Sequence, residues 1–221
     1  MTERITAEQF HAADGVADWR VLGEGACAWF RTGSFAAGLR LIRAIGELPG
    51  PDDHRPDVDL RSDGVLVRLV TLTADHYGLT RRDLDLARAI SAVARELGVP
   101  GEPSGVQSVQ VTVDALDLPT VTTFWRALLG YAYRAGSPED LVDPHGRGPA
   151  FWFQRMDAPR PQRNRMHVDV WVPYDVAEAR IAAALAAGGR LVTDAHAPSF
   201  WVLADPEGNE ACVGTVGGKA V

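Results

Sequence analysis

Residues Gly98 to Gly105 read Gly-Val-Pro-Gly-Glu-Pro-Ser-Gly, a run in which neither a helix nor a strand is expected to persist. This break constrains the fold more than any other feature. It divides 221 residues into two stretches, each long enough for a small domain with its own core. The expected organisation is a first domain over 1–98, a linker over 99–105 and a second domain over 106–221.

Before the break, helical and strand periodicities alternate. Thr6-Ala7-Glu8-Gln9 has the form of a capping box, so a short helix is expected before Gly15. Trp19 to Arg31 alternates on either side of Gly23-Glu24-Gly25, which predicts two strands and a tight turn. Phe35, Leu39, Ile42 and Ile45 recur at helical spacing, and Leu48-Pro49-Gly50-Pro51 stops that helix. Val58 to Thr73 supplies a strand pair, with Val65, Val67 and Leu69 on one face. Thr80-Arg81-Arg82-Asp83 is a second capping signal, followed by the stripe Leu86, Ala89, Ile90, Val93 and Leu97. The order α-β-β-α-β-β-α predicts an α+β layer with helices on one sheet face.

After the break, one pattern occurs twice. Val109, Val111 and Val113 alternate with polar residues, and a helix near Pro119 carries Val121, Phe124, Trp125, Leu128 and Leu129 up to Gly130. Strands are expected at Tyr131 to Ala135 and Ala150 to Met156. The pattern restarts with Met166, Val168, Val170 and Val172, then a helix over Asp175 to Ala187 ended by Gly188-Gly189. Strands at Arg190 to Thr193, Phe200 to Ala204 and Glu210 to Val216 complete it. Two βαβββ units closing around a concave face are the expected result.

Composition excludes several function classes. Apolar residues at 46% and charged residues at 23% place the chain among globular proteins. A net charge of -7 argues against nucleic-acid or anionic-membrane partners. Cys27 and Cys212 are far apart and lack metal-site spacing, which fits a reduced, cytoplasmic chain. Met1-Thr2-Glu3-Arg4 shows no basic region leading into an apolar core, so no signal peptide is expected. Exposed sheet edges make a homodimer a candidate assembly.

Chemistry concentrates between Asp52 and Thr80. His54, Arg55, Asp57, Asp75 and His76 flank one expected strand. Histidine exchanges a proton near neutral pH, a carboxylate orients it, and arginine holds an oxygen through a fork of donors. The set suits proton transfer on a small, planar, polar substrate. The competing reading is a pair of solvated loop histidines, and spacing alone leaves the two level.

Residues 1 to about 98 resemble the pterin-4a-carbinolamine dehydratases. That family carries His-His-Pro-Asp/Glu before a central strand, then Thr-His-Asp-x-Gly-Gly-Leu-Thr, then an Asp and a Leu-Ala pair. Here the corresponding residues are His54-Arg55-Pro56-Asp57, Ala74-Asp75-His76-Tyr77-Gly78-Leu79-Thr80, Asp83 and Leu86-Ala87, with Trp19 and Phe35 also fitting. The resemblance implies loss of water from a 4a-hydroxytetrahydropterin to give the quinonoid dihydropterin, without a metal. It implies His54 as an acid/base residue, His76 as a second candidate, and Arg55, Pro56, Asp57 and Asp75 as substrate-positioning residues. Two departures stand out: Arg55 occupies the second histidine position, and the third falls on Ala74, or on Leu72 when aligned from the strand.

Residues 105 to 217 resemble the glyoxalase/bleomycin-resistance group, the vicinal-oxygen-chelate fold. The doubled βαβββ pattern, Phe124-Trp125, Leu128-Leu129-Gly130 and Asp205-Pro206-Glu207-Gly208-Asn209 carry the likeness. Its metal-using members place His or Gln on the first strand of a unit and Glu on the last. The matching positions here are Ser108, Gln154, His167 and Cys212, with Gln110 and Glu210 nearby. A single good ligand, His167, implies a pocket without a metal, and Trp152, Trp171 and Trp201 are candidate walls. Two alternatives to a dehydratase therefore stand: a small-molecule binding protein with a degenerate first domain, and a metal-dependent lyase or dioxygenase in the second.

Overall fold

A computed structural model describes residues 3–23, 25–50, 54–73, 76–159 and 166–215, with Tyr174 described by its backbone alone. The chain separates into two compact units, Met1–Ser108 and Val109–Val221, each with its own core.

In the first unit the order is β1 (Arg4–Ile5), α1 (Ala7–His11), β2 (Arg20–Leu22), β3 (Gly25–Arg31), α2 (Phe35–Gly46), β4 (Asp57–Leu60), β5 (Gly64–Leu69), β6 (Thr71–Thr73), β7 (His76–Thr80) and α3 (Arg81–Glu96). An antiparallel sheet runs β2-β3-β5-β4, and a smaller one runs β1-β7-β6. Only Val70 separates β5 from β6. Ala26, Ala28, Phe30, Val65, Val67 and Leu69 form the inner face, against which Leu41 and Ile45 of α2 and Leu84, Ala87 and Ile90 of α3 pack. Both caps form as their residues dictate. The Gln9 amide nitrogen donates to Thr6 Oγ1 while the Gln9 side chain accepts from Thr6 N, and Ser34 caps α2 by accepting from Ala37 N.

Two expected core stripes are rotated. On α2 the buried face is Gly38, Leu41 and Ile45, whereas Phe35 and Leu39 are 54% and 50% exposed. The reason is close approach: a side chain at position 38 would overlap Leu60, so α2 settles on β4 and β5 through its glycine. On α3 the buried face is Asp83, Leu84, Ala87, Ile90, Ser91 and Ala94, and Leu97 is exposed. That stripe holds two polar residues, each with partners. Ser91 Oγ accepts from Trp19 Nε1 and donates to Asp18.

The stretch expected as a linker is laid along β3 instead. Pro100 O accepts from Arg31 N, Glu102 N donates to Trp29 O, and Gly101 bridges Phe30. These residues continue the sheet edge where β2 has ended.

In the second unit the order is β8 (Gln110–Ala115), α4 (Leu118–Leu129), β9 (Ala132–Arg134), β10 (Ser137–Val142), β11 (Ala150–Arg155), β12 (Val168–Trp171), α5 (Ala177–Ala186), β13 (Arg190–His196), β14 (Phe200–Ala204) and β15 (Glu210–Gly214). The sheets run β8-β11-β10-β9 and β12-β15-β14-β13, so first and last strands of each unit pair in parallel. Strand β10 is absent from the sequence expectation because Pro138, Glu139 and Asp140 read as turn. It is accommodated by a register shift between Ser137 and Leu141. Strand β8 begins at Gln110, so Val109 is exposed and Ser108 precedes the sheet.

Asp205 is the brace of this unit. It is fully buried, accepts from Trp125 Nε1 on α4, and accepts from the backbone of Glu207 and Asn209 and the Asn209 amide. Glu207 in the same turn accepts from Leu116 N and Asp117 N at the start of α4. Asp205→Ala leaves Trp125 Nε1, Glu207 N and the two Asn209 donors unpaired and is expected to lower the unfolding free energy by about 2–4 kcal/mol. Urea unfolding of the full chain measures this, and a loss below about 0.5 kcal/mol would contradict the bracing role.

Candidate active site

A cleft of ≈ 240 Å³ lies in the first unit, lined by His54, Arg55, Asp57, Arg68, Val70, Thr71, Leu72, Thr73 and Arg82. Three pieces of chain converge there: the entry to β4, the β5–β6 bend and the first turn of α3. The size fits one small planar ligand, below the ~300–1,000 Å³ of drug-sized sites.

Asp83 organises one side of it. At the third position of α3 it is fully buried, and its Oδ2 accepts from Thr80 N at 2.7 Å, Thr80 Oγ1 at 2.8 Å and Thr71 Oγ1 at 2.6 Å. The helix start and the strand β6 are thereby tied to one carboxylate. Its other oxygen, Oδ1, lies 3.3 Å from His54 Nε2, and the His54 side chain is 11% exposed. The contact is short enough for an ion pair, but the two atoms are not aligned as a hydrogen bond, and each is buried without a partner. Of the two residues His54 is the one in the cleft wall, and Asp83 lies buried behind it.

The remaining predicted residues divide. Arg55 lines the cleft, and its guanidinium also donates to the Leu48 and Gly50 carbonyls. Asp57 lines it too, and is paired across the strands with Arg68 through Nε at 3.0 Å and the terminal nitrogen at 2.6 Å. Pro56 leads into β4 and is not a wall residue. His76 is not in a loop as expected. It opens β7, sharing a strand face with Gly78 and Thr80, and its ring stands close over Gly78. It is not a wall of the cleft, although its Nε2 is buried and unpaired. Asp75, Ala74 and the Asp52-Asp53 pair lie outside the described residues.

Sequence reasoning did not select Thr71, Arg68 or Arg82, or give Asp83 a role beyond capping. The legible signal was Asp in place of Glu in the second capping box, which keeps the carboxylate short and beneath the strand.

In the second unit, alternation through β12 puts Asp169 and Trp171 on the face opposite the core-facing Val168 and Val170, and His167 directly precedes the strand. Asp169 is the register partner of Cys212 on β15. His167 Nε2 is 3.3 Å from Asp169 Oδ1. Gln110 and Gln154 belong to the other sheet, where Gln154 pairs with Asp114. The expected set of Ser108, Gln110, Gln154, His167 and Cys212 is therefore brought together only in its last two members, and Asp169 joins them.

Burial pushes the Cys212 thiol up to about 11, helped by its hydrogen bond to Asp169 and by the charges of Asp169 and Glu210. Against the ordinary 9.0 this leaves about a hundredfold less thiolate at pH 8. Alkylation of Cys212 by iodoacetamide is expected to be correspondingly slow, and Asp169→Asn to speed it. Mass spectrometry of the labelled chain checks this, and labelling at the rate of a free cysteine would contradict it.

The family model described as pterin 4 alpha carbinolamine dehydratase matches residues 2–93, and that described as a glyoxalase-like domain matches residues 110–214. A Nocardia farcinica protein provisionally named a pterin-4-alpha-carbinolamine dehydratase is 36% identical over 95 residues, covering 42% of this chain and 98% of that protein. A Rhodopseudomonas palustris protein of the same provisional name is 35% identical over 102 residues, covering 45% and 99%. Among solved structures, a glyoxalase/bleomycin resistance protein/dioxygenase family enzyme from Burkholderia phytofirmans is 18% identical, with a TM-score of 0.41, covering 48% of this chain and 96% of that one.

Proposed function

Because the chain belongs, through its first half, to the pterin-4-alpha-carbinolamine dehydratase family, we propose that its cleft dehydrates a 4a-hydroxytetrahydropterin. The observation that supports this best is His54, set in the cleft wall with its Nε2 beside a buried, otherwise tethered carboxylate.

In the reaction the C4a–O bond breaks, the hydroxyl takes a proton and leaves as water, and a ring nitrogen loses a proton as the C4a=N bond forms. His54 is the acid/base residue for this exchange. Asp83, with Oδ1 3.3 Å from Nε2, compensates the imidazole's charge when it is protonated. Arg55, and Arg68 held by Asp57, offer donors to the ring's carbonyl and nitrogen edge. This donor set, an imidazole flanked by guanidinium groups, suits proton transfer on a polar ring. His76 serves as a second proton carrier only where a ligand or water reaches its buried Nε2.

Among the described residues no helix is long and apolar enough to cross a membrane. Neither Cys27 nor Cys212 is joined in a disulfide, which supports a cytoplasmic setting for a small-molecule enzyme.

One observation favours a second reading. Arg55, at the family's second histidine position, is partly engaged with loop carbonyls. A cleft that binds a pterin without turning it over accommodates that change.

The deciding experiment is carbinolamine dehydration by the purified chain and by His54→Ala, with and without chelator. The dehydratase reading predicts catalysis above buffer, a loss of about 10²-fold or more in the variant, and no effect of chelator. Equal rates in wild type, variant and buffer would overturn it. Pterin binding that survives without turnover would establish the second reading.

A further inference from the structure

Three arginines from separate parts of the fold meet in the cleft of the first unit. Arg55 stands just before β4, Arg68 lies on β5 as the register partner of Asp57, and Arg82 is the second residue of α3. The chain as a whole carries a net charge of -7, yet among the described wall residues arginines outnumber carboxylates three to one. The one carboxylate, Asp57, is paired with Arg68. Sequence spacing hides this set, because only the fold joins a strand entry, a neighbouring strand and the first turn of a helix.

A bare pterin ring has little use for so many donors. Its pyrimidine edge presents an N–H and an amino group beside a single carbonyl oxygen. A guanidinium donates and cannot accept, so the two donors of that edge call for Asp57 or the Thr73 hydroxyl of the wall. One arginine is enough for the carbonyl. Further guanidiniums match a ligand that brings more acceptor oxygens and negative charge, and phosphate and carboxylate groups supply both in the geometry of the fork. Arg55 also stands where the family has a histidine. The exchange replaces a group that titrates near neutral pH by a permanent cation, so it removes a proton carrier and adds charge recognition.

We propose that the cleft takes a pterin whose side chain carries an anionic group, a phosphate or a carboxylate, for which Arg82 together with Arg55 supplies the opposing charge. Arg68, held by Asp57, serves the ring. This specificity rests on the pterin reading of the cleft and narrows its substrate class.

The test titrates the full chain with neutral hydroxymethylpterin, with its phosphate ester and with the corresponding pterin carboxylate, and reads binding by quenching of pterin fluorescence. At least one of the two anionic pterins is expected to bind about tenfold or more tighter than the neutral one, and the tighter of the two identifies the group. High salt narrows that gap. Arg82→Gln and Arg55→Gln each reduce the ratio of anionic to neutral affinity at least about threefold. Far-ultraviolet circular dichroism checks that each variant is folded, and should either fail that check, the wild-type ratio and its salt dependence decide. Equal affinity for neutral and anionic pterins, or a ratio unchanged in both folded variants, would overturn the proposal and leave the dehydratase reading standing. Absence of binding by all three pterins would overturn both.

Discussion

A fully buried carboxylate is costly unless its oxygens are matched by donors, and Asp83 shows how the first unit meets that requirement. One oxygen takes the Thr80 amide and two threonine hydroxyls. The backbone amide closes the start of α3, and the Thr71 hydroxyl fixes β6 against it. The second oxygen is left facing His54. The same residue therefore starts a helix, joins it to a strand and sets an oxygen beside His54 of the cleft wall. The remaining walls depend on that junction. Thr71, Leu72 and Thr73 are in place because β6 is, and Arg82 is in place because the first turn of α3 is.

The second unit follows a comparable rule with a different outcome. Asp205 is also fully buried, and its donors come from α4 and from the β14–β15 turn. All are internal, so its oxygens face no cleft. The Asp-Pro-Glu-Gly-Asn run is thus a structural brace. The polar groups with chemical reach in this unit lie on the open sheet face, where β12 and β15 meet. Burial separates the two roles: a buried aspartate with complete pairing stabilises, while donors on an open face remain available to a ligand.

Much of the fold was legible in the sequence because alternation and helical spacing are local. The α+β layer of the first half, the doubled unit of the second, Thr6 and Thr80 as caps, and the inward Val65, Val67 and Leu69 all follow from neighbours within a few residues. What was missed depends on tertiary contact. The α2 stripe turned because Gly38 lets the helix approach Leu60, which an apolar count cannot foresee. The α3 stripe turned because Asp83 and Ser91 are buried by partners far along the chain. Strand β10 was missed because Pro138 reads as a breaker and only the register shift makes room for it. At the site, His54 was legible from its motif, whereas Asp169 opposite Cys212 was not, since strand register is set by the whole sheet.

The central claim is that Asp83 acts through His54, and a double-mutant cycle on the dehydration rate addresses it directly. His54→Ala, Asp83→Ala and the double variant are compared with the parent, with folding checked for each. If the carboxylate serves the imidazole, the double variant is no slower than His54→Ala alone. If the two losses multiply, Asp83 and His54 act separately and the account of the site is wrong.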